Sequence, residues 1–238
     1  MEESLKIPLG AGKFAYGTFA GRKDRPLIIF VHGFTGYKDE HMFFNGASFF
    51  VKHEISSFRF NLYGEEKDAR KFNDCALSIH AKDLDSVVSY FGNKSPKIIV
   101  IGHSFGGAVV VFSKNQEFDK AILWEPTPSP KELTKKAKYV KELDLYYFNE
   151  WGIAFTIGKE MIEENKRLNP VLQIKKFKKP VEIIVAGSGA LVSAGKKYFE
   201  NVNEPKKFAI IPNSTHSFDE DGAEEKLFQE TLDFINYV

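Results

Sequence analysis

Six short runs, apolar at successive positions, set the fold class of this chain. Leu27-Ile28-Ile29-Phe30-Val31 ends at His32-Gly33, and Ile55 to Leu62 carries Phe58, Phe60 and Leu62 in alternation. Lys97-Ile98-Ile99-Val100-Ile101 closes on Gly102, and Lys120-Ala121-Ile122-Leu123-Trp124 closes on Glu125-Pro126. Val181-Glu182-Ile183-Ile184-Val185-Ala186 closes on Gly187, and Lys207-Phe208-Ala209-Ile210-Ile211-Pro212 is the last. Runs this short and this uniformly apolar read as strands buried on both faces. Helical periodicity fills the gaps. Asp74 to Phe91 places Ala76, Ile79, Leu84, Val87, Val88 and Phe91 near one face, and Ser104 to Lys114 and Glu224 to Val238 are further helices. Such alternation predicts an α/β fold, a mostly parallel central sheet flanked by helices. Leu5 to Ala20 adds the expectation of an antiparallel hairpin at one edge.

Between Trp124 and Val181 the alternation stops. This stretch carries two candidate helices, Pro130 to Leu143 and Gly158 to Leu168, and an aromatic cluster of Tyr146, Tyr147, Phe148, Trp151 and Phe155. A long insertion between two strands is often a lid or binding element. The aromatics can equally serve only to seat it on the core, and the two readings are compatible. The expected organisation is a core of residues 1–125 and 180–238 with an insertion at 126–179.

Composition removes several classes of function. A chain of 238 residues holds one sizeable core rather than two. Its 33 basic and 32 acidic side chains leave a net charge of +1, without the basic surplus of a nucleic-acid binder. The single cysteine, Cys75, excludes an internal disulfide and a cysteine-rich zinc module. No run approaches the roughly 18 apolar residues that span a bilayer. The amino terminus, Met1-Glu2-Glu3-Ser4-Leu5-Lys6, is acidic where a signal peptide is basic. The expectation is a soluble cytoplasmic protein without nucleic-acid or membrane partners; a homodimer contact through the aromatic insertion stays open.

Three motifs carry chemistry. Gly102-His103-Ser104-Phe105-Gly106-Gly107 follows a buried strand and opens a helix. A serine in that place sits on a tight strand-to-helix turn with its oxygen above the sheet, and the helix amino terminus favours negative charge on a reacting oxygen. His32-Gly33-Phe34-Thr35-Gly36 follows the first apolar run. In a parallel sheet its loop can lie beside the serine turn, where the backbone N–H groups of Phe34 and Phe105 would converge on an oxyanion. Ser214-Thr215-His216-Ser217-Phe218 follows the last run, and His216 there has the order and place of a general base for Ser104. His103 and His32 read as structural, and His41, His53 and His80 carry no signal. Nothing has metal-ligand spacing such as H-E-x-x-H, so no metal is expected.

These residues, in this order and over nearly the whole chain, resemble the α/β-hydrolase superfamily. The stretch His32 to Glu40 is similar to small bacterial cinnamoyl and feruloyl esterases and related serine esterases. The resemblance implies a Ser–His–acid triad, hydrolysis through an acyl-enzyme and no cofactor. It also implies a small helical cap inserted after the sixth sheet strand, where residues 126–179 lie.

The chain departs from the family in the triad acid. The family carries an aspartate in a turn after the strand equivalent to Val181–Ala186, and here that position falls on Gly189 or Ala190. A second departure is Asn61-Leu62-Tyr63-Gly64-Glu65, where many relatives have an aspartate and a G-x-G. Three accounts remain open. Glu125, at the end of the run Lys120–Trp124, can be a relocated acid, as at that strand end in some lipases of the superfamily. The protein can be a weakened enzyme or a ligand-binding protein. Asp219, Glu220 or Asp221 can approach His216, although they lie close in sequence. The leading expectation is a serine carboxylesterase acting on small acyl or aromatic esters. Ser104 is the nucleophile, His216 the base, Glu125 the acid, and Phe34 and Phe105 the oxyanion donors. An amidase, a thioesterase or a carbon–carbon bond hydrolase is the alternative within the same fold.

Overall fold

The computed structural model describes residues 2–150 and 152–237. The first half runs β1 (Glu2–Gly10), β2 (Lys13–Ala20), β3 (Leu27–Val31), α1 (His41–Lys52), β4 (Ser56–Phe60), α2 (Leu77–Phe91), β5 (Ile98–His103), α3 (Phe105–Phe112) and β6 (Lys120–Trp124). The insertion follows with α4 (Pro130–Thr134), β7 (Lys138–Val140), β8 (Leu145–Glu150), β9 (Ile153–Ile157), α5 (Lys159–Arg167) and α6 (Pro170–Gln173). The chain ends with β10 (Val181–Ala186), α7 (Val192–Asn201), β11 (Lys206–Ile211) and α8 (Ala223–Asn236).

One sheet holds eight strands in the order β1-β2-β4-β3-β5-β6-β10-β11. β1 and β2 form the antiparallel edge hairpin, β2 meets β4 antiparallel, and every pairing beyond β4 is parallel. The six apolar runs of the sequence supply the six parallel strands, with ends displaced by one or two residues at most. Alternation along each strand divides the core. Ile29, Val31, Val100, Leu123, Ile183 and Val185 face α2 and α3, while Ile28, Phe30, Ile99, Ile101, Ile122 and Ile184 face α1 and α8.

Trp124 anchors the second layer. Its ring is fully buried, stacks on Phe43 with centroids 6.3 Å apart and meets Phe30 and Phe228. Its indole N–H donates to Thr231 Oγ1 at 3.1 Å. Trp124→Ala is therefore expected to cost ~3–5 kcal/mol, seen as a lower urea midpoint with an unchanged slope.

The insertion is helical only in part, which corrects the expectation of a small helical cap. α4 stops at Thr134, and a three-stranded antiparallel sheet, β7-β8-β9, occupies the place where a helix to Leu143 was expected. Tyr139, Val140, Tyr146, Tyr147 and Phe148 are aromatic or β-branched and favour strand. Asp144 at φ 54° and Gly152 at φ 76° make the reversals between the strands. The helix expected over Gly158 to Leu168 is present as α5. Trp151 of the aromatic cluster lies outside the described residues. Phe148, Ile157, Met161 and Ile162 join the apolar layer of β3 and α2, so the insertion packs on the core.

Candidate active site

Ser104 sits between β5 and α3 with φ 54° and ψ −116°, a strained conformation for a residue bearing a side chain. The glycines around it make the turn possible. A Cβ on Gly102 would lie 2.5 Å from the Gly106 carbonyl oxygen, and one on Gly106 would lie 2.1 Å from that of Val31. Backbone bonds lock the turn: Ser104 N–H donates to Trp124 O at 2.9 Å, and Gly107 and Thr127 N–H both donate to Ser104 O at 3.1 Å. Ser104 keeps 7% of its surface exposed, at the amino terminus of α3.

The loop after β3 lies against this turn. A Cβ on Gly33 would be 3.4 Å from that of Ser104, and the rings of Phe34 and Phe105 meet with centroids 5.4 Å apart. His32 fixes the loop. Its Nε2 accepts Leu62 N–H at 3.0 Å, and its Nδ1–H donates to Gly33 O at 2.9 Å. Burial pushes this imidazole down to about 4, which keeps it neutral with its one proton on Nδ1. A trans peptide opposes its C=O and N–H, so holding Gly33 O also orients Phe34 N–H. Asn61 and Tyr63, the second departure, hold the same loop: Lys38 N–H donates to Asn61 Oδ1 at 2.8 Å, and Tyr63 O–H donates to Gly36 O at 2.9 Å.

His216 lies in the loop after β11, three strands from β5, and its imidazole is half exposed. It is tied to the serine turn through His103. Burial, with the nearby His216, pushes His103 down to about 3, and its Nε2–H donates to the His216 carbonyl at 2.9 Å. The Nδ1–H of His216 donates to Glu125 Oε2 at 3.0 Å. Ser104 and His216 share no hydrogen bond among the described residues; bonds of this kind often tighten only when substrate arrives.

Glu125 is fully buried at φ 46°, directly after β6. Its Oε1 accepts Ala186 N–H at 2.7 Å, leaving Oε2 for the histidine. The position expected for an aspartate lies beside it: a Cβ on Gly189 would be 3.4 Å from Glu125 Oε2. Ser188 N–H donates to Ser214 O at 2.9 Å, which brings that turn against the histidine loop. The two positions thus give access to one place beside the imidazole, and the glutamate fills it. Of the acids after His216, Glu220 turns back to Thr215, whose hydroxyl and amide hold its carboxyl below the usual range.

Three residues unread in the sequence also border the site. Thr35 Oγ1 lies 2.9 Å from Glu150 Oε2 of β8, and Glu40 is half-buried beside Gly36. Burial raises the Glu40 carboxyl, opposed by the Tyr37 amide. The other histidines take no part: His41 bonds Glu224 at the surface, His53 is exposed after α1, and His80 is buried in α2. Among the described residues no three His, Cys, Asp or Glu side chains are arranged to hold a metal ion. A groove of about 960 Å³ between α2 and α5, lined in part by Lys82, Asp85, Lys114 and Arg167, contains none of the candidate catalytic residues.

Three buried imidazoles have a consequence for stability. His32, His80 and His103 are held at about 4, 3 and 3, below the 6.5 of the unfolded chain. Below pH 6.5 the unfolded state binds protons that the folded state refuses, so stability falls as pH drops toward 4, by up to about 1.4 kcal/mol per pH unit for each. Glu182, raised by burial to about 8, acts in the opposite direction between 4.5 and 8 and offsets part of this. Urea midpoints are expected to decline from pH 6.5 to 4.5; a flat profile would contradict the three neutral histidines.

Comparison with known proteins supports the architecture. Residues 28–170 match the model of the alpha/beta hydrolase family. Protein phosphatase methylesterase 1 of Bos taurus is 26% identical over 123 residues, 51% of this chain and 32% of that protein. The Homo sapiens protein is 25% identical over the same length, so the chain covers about a third of these curated relatives. Among solved structures, Est1E from Butyrivibrio proteoclasticus with ferulic acid bound has a TM-score of 0.82 at 19% identity, covering 97% of each chain. GrgF from Penicillium sp. sh18 has a TM-score of 0.80 at 18% identity, covering 100% of this chain and 98% of its own. At these identities the likeness is one of fold. The family match spans more than half of the residues and takes in both the loop after β3 and the serine turn; the chain belongs to the alpha/beta hydrolase family.

Proposed function

We propose that the protein is a serine carboxylesterase, cleaving small acyl or aromatic esters through an acyl-enzyme on Ser104. The observation that carries this reading is the His216 Nδ1 to Glu125 Oε2 hydrogen bond of 3.0 Å, next to a strained serine turn. With Nδ1–H donated to the carboxylate, His216 Nε2 presents its lone pair and can take the Ser104 proton. Ser104 Oγ then attacks the ester carbonyl, and the Phe34 and Phe105 amides receive the oxyanion. Collapse expels the alcohol, which takes the proton from His216. A water activated by the same imidazole attacks the acyl-enzyme, releasing the acid and restoring Ser104. No cofactor enters these steps.

Residues 126–179 act as a cap in this reading. Phe148 of the cap meets Phe34 of the core with ring centroids 5.7 Å apart, and Phe155 meets Phe72 at 5.9 Å. Aromatic rings gathered beside the serine turn suit an apolar or aromatic acyl group. A cytoplasmic setting goes with this reading. A fluorophosphonate probe tests it: Ser104 is expected to be labelled rapidly and stoichiometrically. A ligand-binding protein on the same fold would leave Ser104 unlabelled, and that outcome removes the enzyme assignment.

A further inference from the structure

The core holds the loop after β3 at Gly33, Gly36 and Lys38, but not at Thr35. Thr35 has φ 59°, a region that a β-branched residue enters only under constraint. Its side-chain partner comes from the insertion. Thr35 Oγ1 stands 2.9 Å from Glu150 Oε2 and 2.6 Å from its neighbour's carbonyl, Phe34 O. The hydroxyl has one proton, and the carboxylate is the stronger acceptor. The preceding residue is held by the same strand: the Phe34 ring stacks on Phe148, with centroids 5.7 Å apart and planes 19° apart. Strand β8 therefore grips Phe34 and Thr35 on both sides of the peptide bond that joins them.

We propose that Glu150 is a positioning residue for oxyanion stabilisation, and that β8 is part of the oxyanion machinery. This rests on the role given above to the Phe34 amide. Released from Glu150, Thr35 relaxes toward negative φ. Chain continuity then demands compensating rotations in the flanking residues, which pull on the Gly33–Phe34 peptide that His32 holds and that carries the donor N–H. Donors of this type act through fixed placement, so a small rotation is felt in the transition state and hardly in ground-state binding.

The test uses the full chain with p-nitrophenyl butyrate and a phenylboronic acid, which forms a tetrahedral adduct on the serine. Glu150→Ala and the nearly isosteric Thr35→Val are each expected to lower kcat by about tenfold or more while KM moves by less than about twofold. Boronate affinity should weaken in step with kcat. Glu150→Gln keeps an acceptor oxygen and should recover most of the rate. The double variant Thr35→Val/Glu150→Ala should be no slower than the slower single one, because both remove one interaction. Unchanged kcat in Thr35→Val, a rise in KM alone, or full additivity in the double variant would each overturn the inference. A Ser104→Ala control separates the two levels. Turnover that survives it removes the esterase reading itself, whereas serine-dependent turnover indifferent to Thr35 and Glu150 removes only this inference.

Discussion

Ser104→Ala is expected to lower ester turnover by at least about ten-thousand-fold, because loss of a triad nucleophile leaves only what binding and the oxyanion donors supply. Steady-state hydrolysis of p-nitrophenyl butyrate measures it. The substitution isolates chemistry from folding. The turn owes its shape to Gly102 and Gly106 and to the backbone bonds of Ser104 with Trp124, Gly107 and Thr127, none of which needs the hydroxyl. Alanine meets the same strain at φ 54° that serine already bears. Circular dichroism and the urea midpoint should therefore be unchanged in a variant that no longer turns over. Activity within about threefold of the parent would instead mean that Ser104 is not the nucleophile.

The second large effect belongs to Glu125. Glu125→Gln is expected to cost at least about a hundred-fold in kcat, and the hydrogen bonds say why. Ala186 N–H needs an acceptor, so the amide oxygen of the glutamine stays on that partner. Its NH₂ then faces His216 Nδ1, which must accept rather than donate. The imidazole proton is driven to Nε2, where it blocks uptake of the serine proton. A loss smaller than about threefold would take Glu125 out of the mechanism. The neighbouring Gly189 supplies the complement. In a Glu125→Gly background, Gly189→Asp brings a carboxylate to the vacated place and is expected to restore turnover by about tenfold or more. Added to the parent, Gly189→Asp sets two carboxylates side by side and should lower stability instead.

The parallel strands were legible because burial on both faces leaves continuous apolar runs; β6 and β10 begin and end where the runs do. The helices α1 and α7 were not, and their glycines explain it. Gly46 in α1 admits the rings of Phe228 and Phe30, and a Cβ on Gly195 in α7 would lie 2.4 Å from Val185 Cγ1. Close packing on the sheet selects glycine there, against helix propensity. The insertion misled for another reason: spaced apolar residues between Leu133 and Leu143 imitate a helix, while the tyrosines and the turns at Asp144 and Gly152 belong to strands. The candidate residues Ser104, His216, Glu125, Phe34 and Phe105 could be proposed from sequence because each stands at a strand end or turn of recognisable type. The pairing of Thr35 with Glu150 was not, because the two are 115 positions apart and no local pattern joins them.

The roots of the insertion set where a chimera can be cut. Its leading residues are already fastened to the serine turn: Thr127 N–H donates to Ser104 O, and Thr127 O accepts the buried Tyr198 hydroxyl at 2.6 Å. Its trailing root returns at the opposite end of β6, where Pro180 O accepts Ala121 N–H at 3.0 Å. A foreign segment between these two seams would keep the backbone bonds that hold β6, and it must refill the core contacts now made by Phe148, Ile157, Met161 and Phe177. On the proposed reading, transplantation of residues 128–179 is thus a route to new acyl preferences, provided the graft also offers Thr35 an acceptor.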